Sequence, residues 1–172
     1  MRGRTFAAAG LSLALAATAA LAALAAEMTP RPTALDRLKA LAGEWEAKGE
    51  DGAVLTKTTY EVVAAGNSVM ETIQFPDGNS MVTLYHHDGD RLMLTHFCMA
   101  GNQPRLVAKD PGPKATELTF SFLDATNLRA PDESHLYGVT FAFQDAGHFK
   151  QNMIFKEGGV EAPMAVTYTR TK

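Results

Sequence analysis

The residues best equipped for chemistry fall in one stretch, from Met81 to Arg105. It carries His86, His96 and Cys98, then Gly101-Asn102-Gln103-Pro104-Arg105. Imidazole and thiolate are good ligands for zinc or copper, so His86, His96 and Cys98 are the candidate metal ligands. Their spacing is not a metal signature, because His96-x-Cys98 lacks the paired C-x-x-C or H-E-x-x-H frame. The competing reading of His96 is an interior histidine with both ring nitrogens hydrogen-bonded. Cys98 is the sole cysteine, so no disulfide forms within the chain. Its thiol is either buried and inert or exposed and reactive. In the following loop, Gly101 and Pro104 suit a tight turn. Gln103 and Arg105 are candidate ligand contacts, since an amide both donates and accepts and a guanidinium forks a carboxylate or phosphate.

Catalytic patterns are absent: no G-x-S-x-G elbow, no H-E-x-x-H, no glycine-rich phosphate loop. A Cys98–His96 dyad would place its members two residues apart on one strand, about 7 Å at the backbone, with no third orienting group. No residue is assigned as catalytic. Glu44, Glu46, Glu61 and Glu71 could supply carboxylates, but no pair is marked out, and they are expected to face water.

Positioning these groups falls to a run of short strands. Thr33, with Asp36 three residues later, reads as a capping box, and Leu35, Leu38 and Leu41 share one face. This predicts one helix of two to three turns, ended by Gly43. Strands are expected near 44–49, 54–63, 68–75, 80–87, 91–99, 104–109, 116–123, 135–144, 148–156 and 162–170. Period-two alternation is clear at Leu118, Phe120 and Phe122, and at Tyr137, Val139, Phe141 and Phe143. Asp77-Gly78, Asp88-Gly89, Ala146-Gly147 and Gly158-Gly159 mark turns, and residues 124–134 form the longest expected loop. The fold class is all-β, an antiparallel barrel or sandwich of about ten strands with one short N-terminal helix.

The hairpin around Asp88-Gly89-Asp90 decides which side chains share a face. A two-residue Asp88-Gly89 loop pairs His86 with Arg91, and a bulged three-residue loop pairs His87 with Arg91. The bulged register gathers Val82, Leu84, Leu92 and Leu94 on one face, together with His86, His96 and Cys98, and is the one expected. With that face inward, the three would line a pocket with Asn102, Gln103 and Arg105 at its mouth.

Gly43-Glu44-Trp45 follows the helix, and Thr169-Arg170 closes the last strand. In these features the chain resembles the lipocalin-like (calycin) superfamily, whose barrels carry Gly-x-Trp at the first strand and a terminal basic residue over the indole. The resemblance implies an up-and-down barrel in which Gly43, Trp45 and Arg170 are structural. A guanidinium over a Trp face is favourable by about 0.5–2 kcal/mol. A narrower resemblance, to an uncharacterised bacterial lipocalin-like family, rests on residues 85–92, Thr95-His96-Phe97-Cys98, Gly101-Asn102-Gln103-Pro104-Arg105, 120–128 and Ser134-His135-Leu136-Tyr137. That family often has a second His where this chain has Tyr137, so a metal role that needs two His lacks one here. Some calycin-like barrels hold haem through a His on a late strand. None occurs between Phe149 and Lys172, so neither haem nor zinc is expected.

Residues 1–25 read as a signal peptide. Arg2 and Arg4 precede an uncharged apolar run to Ala26, and Ala23-Leu24-Ala25 suits signal peptidase. Cleavage there leaves 147 of the 172 residues: a lead-in over 26–32 and a barrel domain over 33–172. It implies a periplasmic or extracellular protein with no membrane span in the mature chain. Without Arg2 and Arg4, the balance of 16 basic to 19 acidic side chains becomes 14 to 19. No basic patch appears, which argues against a nucleic-acid partner. The expected function is binding of a small apolar or amphipathic ligand in the barrel lumen. The alternatives are a metal-dependent enzyme or redox protein using His96 and Cys98, and a solid barrel acting as a protein-interaction module.

Overall fold

The computed structural model describes residues 33–49 and 52–172. The expected signal peptide and lead-in lie outside the described residues. One helix, α1 (Ala34–Lys39), precedes ten antiparallel strands. These are β1 (Gly43–Lys48), β2 (Val54–Val63), β3 (Ser68–Gln74), β4 (Ser80–Asp88) and β5 (Arg91–Phe97), then β6 (Gln103–Lys109), β7 (Glu117–Thr126), β8 (His135–Phe143), β9 (His148–Glu157) and β10 (Val160–Arg170). Each strand pairs with its neighbours in sequence, and β1 pairs with β10, so the sheet closes into an up-and-down barrel without free edges.

The alternation seen in the sequence becomes the division between lumen and exterior. Leu118, Phe120, Val139, Phe141, Phe149 and Tyr168 all point inward and are buried. The helix sits across one end of the barrel. Its Ala34, Leu35 and Leu38, with Leu41 just beyond, join the interior cluster. It spans six residues, under two full turns and shorter than expected. Asp36 accepts a 2.7 Å hydrogen bond from the Thr33 N–H, tying down the first turn. That bond is the main reason its carboxyl is held below the usual carboxylate range.

Beneath the helix the barrel is packed with aromatic rings. Phe149 meets Trp45 edge-on at 4.7 Å and stacks on Tyr168 at 4.7 Å. Trp45 donates its indole N–H to the Leu41 carbonyl at 2.7 Å. Arg170 lies over the indole, 4.2 Å from the ring centre. Its guanidinium also donates to the carbonyls of Ala40, Ala42 and Ala146 at 2.7–2.9 Å. Gly43 has φ +130°, and a Cβ there would come within 2.4 Å of the Lys172 carbonyl oxygen. No residue with a side chain fits that position without displacing the Lys172 backbone and the Arg170 guanidinium.

The β4–β5 hairpin corrects the sequence reading. Gly89 and Asp90 form the two-residue loop, and Asp88 pairs with Arg91. This is neither of the two registers considered, and it reverses one face relative to the other. Thr83 and Tyr85 now point inward beside Leu92, Leu94 and His96, while Val82, Leu84 and His86 face out. The cause is the turn: Gly89 takes φ +62°, and Asp88 stays in the ladder through its ion pair with Arg91. Other boundaries differ as well: β10 begins at Val160, and Gly43 opens β1 instead of ending the helix. Strand β7 continues to Thr126, into the segment expected as loop, and β5 stops at Phe97, leaving Cys98 beyond the ladder.

Candidate functional site

Away from the helix, the ring packing gives out and the lumen opens into a cavity of about 320 Å³. This is in the range of small-molecule sites. Ile73, Met81, Leu94, Val139, Met153 and Val166 form much of its wall, and Met164 and Leu55 stand exposed at its rim. Among the described residues, no lysine or arginine lines it. Strand parity explains the lining, since every second residue of β3, β9 and β10 enters the lumen.

A polar cluster sits in this apolar wall. Glu71, on β3, is 1% exposed. Its Oε1 accepts hydrogen bonds from the Tyr60 hydroxyl at 2.6 Å and the Gln151 amide at 3.2 Å. Its Oε2 accepts from the Tyr85 hydroxyl at 2.6 Å. Three neutral donors thus hold a buried carboxylate with no basic side chain among them. Burial, and then the charge of Glu71, raise the phenol pKa of Tyr60 and Tyr85 well above the ordinary value. The same causes push Tyr168 up to about 12. These phenols remain protonated donors at any physiological pH. Because Glu71 is acceptor-only on the side it offers, Gln151 must turn its NH₂ toward it. Gln151 Oε1 is left buried without a partner.

His96 borders the same cavity from β5. Its Nδ1 lies 2.9 Å from Thr83 Oγ1, and its Nε2 is buried without a partner. Burial pushes its pKa down to about 4, so the ring is neutral at pH 7. One ring nitrogen is therefore satisfied and the other is not, halfway between the two readings of the sequence.

The remaining expected site residues do not join it. His86 faces outward and its Nδ1 contacts the His87 carbonyl at 2.9 Å. Cys98 lies in the turn after β5, where its sulfur accepts from the Ala100 N–H at 3.4 Å. His86, His96 and Cys98 therefore do not converge, and among the described residues no three His, Cys, Asp or Glu side chains form a metal-binding group. Gln103, at the start of β6, donates to the Gly101 carbonyl at 2.9 Å and accepts from Thr126 Oγ1, at the end of β7, at 2.8 Å. Arg105 is on the outer surface, in a bidentate pair with Asp124. Neither reaches the cavity mouth. Asn102 is fully buried and donates to the Ser134 carbonyl at 2.9 Å.

The sequence reading places Glu71 in water, whereas the structure buries it among donors from Tyr60, Tyr85 and Gln151. Their signal in the sequence is position: Glu71 stands between Val69 and Ile73 on the apolar parity of its strand, and Gln151 between Phe149 and Met153 on its own. A polar residue inside such a run is either a bulge or a buried polar group.

No family model and no curated protein matches the chain. Among solved structures, the crystal structure of Rv2717c from M. tuberculosis is similar, with a TM-score of 0.55 and 14% identity, covering 83% of this chain and 100% of that one. That likeness is one of fold, and it is consistent with a lipocalin-like barrel.

Proposed function

We propose that this protein is an exported binding protein that holds one small, mostly apolar molecule in its barrel lumen. The observation that carries the reading is the cavity itself. One end of the interior is packed with rings, while the other is left open, apolar and bordered by His96 and Gln151, each with an unpartnered polar atom. A barrel serving only as a scaffold gains stability by filling such a space. A buried polar atom without a partner is costly unless a ligand supplies one. The open lumen also counts against the solid-barrel module. Export rests on the basic, apolar and small-residue pattern of residues 1–25.

Native mass spectrometry on protein recovered from an exporting bacterial host tests both parts. A polypeptide mass beginning after Ala25, with an organic adduct that disappears in the Val166→Trp variant, is the expected result. A mass that retains residues 1–25 overturns export. Failure of any apolar probe to bind the wild-type lumen in titration overturns the binding role.

A further inference from the structure

The charge in the lumen is one-sided. Among the described residues, Glu71 is the only acidic one lining the cavity, and no lysine or arginine lines it. Its two oxygens are also unequally used. Oε1 takes two hydrogen bonds, from Tyr60 and Gln151, whereas Oε2 takes one, from Tyr85. A carboxylate offers about four lone-pair sites, so one remains on Oε2. Gln151 Oε1, fixed by the amide's orientation toward Glu71, is a second acceptor with no donor. The Thr56 hydroxyl and His96 Nε2 also line the cavity without partners, but neither carries charge, so around Glu71 negative charge and open acceptors stand with no positive charge to meet them.

We propose, building on the lumen-binding role above, that the ligand is a lipophilic amine whose apolar body fills the cavity and whose ammonium group seats against Glu71 and Gln151. An ammonium brings three donors and the missing charge. A hydroxyl brings one donor and no charge. A fatty carboxylate brings only acceptors and a like charge, and it meets no basic side chain to offset the repulsion. The neutral His96 offers no positive charge either. The lumen thus discriminates among molecules with the same tail by the charge of their heads.

The test is isothermal titration of the purified protein at pH 7 with decylamine, decanol and decanoate, each below its micelle-forming concentration. Decylamine is expected to bind about tenfold or more tighter than decanol, as hydrogen bonds to charged groups imply. Decanoate is expected to be weakest. In Glu71→Gln the preference for decylamine over decanol is lost. Decanol binding with no amine preference, or decanoate binding as well as decylamine, overturns this assignment alone. An amine preference that survives Glu71→Gln also overturns it. Binding of none of the three overturns the lumen-binding role and this assignment with it. Should Glu71→Gln fail to fold, the wild-type ranking of the three heads still decides.

Discussion

Thr83 and His96 face each other across the β4–β5 ladder and share a 2.9 Å hydrogen bond inside the barrel. The bond satisfies Nδ1, but the ring remains in a dry wall and resists protonation. An unfolded chain takes up a proton at His96 near pH 6.5, the folded one only near pH 4. The unfolded state therefore binds more protons between these values. Stability is full above pH 6.5 and lost as pH falls toward 4. Over that window His96 alone should cost about 3 kcal/mol. Urea unfolding of His96→Phe and wild type at pH 7 and pH 4.5 checks this: the variant should lose less stability on acidification. Equal losses would show that the ring is not held neutral.

Arg170 joins three carbonyls around the barrel's seam and covers Trp45. Arg170→Ala removes all of these contacts and should destabilise the fold by about 2 kcal/mol. Arg170→Lys should restore less than half of that, since an ammonium cannot fork to several carbonyls from one plane. Chemical denaturation gives both values. A Lys variant as stable as wild type would mean that charge alone, not the guanidinium geometry, holds the seam.

Tyr85→Phe keeps the ring and deletes only the donor to Glu71 Oε2. The carboxylate oxygen is then buried without a protein partner, at a cost of about 1–3 kcal/mol. Thermal unfolding should show the loss. Added decylamine should recover more stability in this variant than in wild type, because the ligand supplies the missing donor.

Two substitutions separate the lumen from the surface. Val166→Trp, on the cavity wall, should abolish binding of decylamine and decanol while leaving the far-ultraviolet spectrum of the barrel intact. Arg105→Ala, on the outer face, should leave both affinities unchanged, because its partner is Asp124 and not the cavity. Loss of binding in Arg105→Ala would return that residue to the site.

The barrel was legible in the sequence because period two holds along most of its strands, although β8 bulges between Leu136 and Gly138 and turns Leu136, not the expected Tyr137, to the cavity. Period two along β7, β8 and β10 marks the interior without reference to any partner strand. Gly43, Trp45 and Arg170 were legible for a different reason, through the resemblance to lipocalin-like barrels, which implies a basic residue of the last strand over the indole of the first. The site was much less so. Of five expected ligand contacts, only His96 reaches the lumen. For His86 the failure traces to the Gly89-Asp90 loop, where moving the turn by one residue exchanged Val82 and Leu84 for Thr83 and Tyr85; Cys98 is lost because β5 ends at Phe97, and Arg105 because it pairs with Asp124 on the outer face. Apolar residues at 82 and 84 favoured the wrong face, and nothing local revealed that Tyr85 would be needed inside to hold Glu71. That carboxylate is itself a long-range feature. Its donors come from β2, β4 and β9, and no spacing within one strand encodes such a meeting.

The pairing of β1 with β10 has a consequence for how the chain can fail. Trp45 meets Arg170 only when nearly all the intervening chain is in place, so closure belongs to the end of folding. A chain cut before Val160 is not a nine-stranded barrel but an open sheet. It bares the hydrogen-bonding edges of β1 and β9 together, and with them the aromatic layer of Trp45 and Phe149. Such an edge recruits other chains. Partial proteolysis or early termination should therefore deplete the protein by aggregation and leave no soluble fragment, so that the population consists of closed barrels or of nothing in solution.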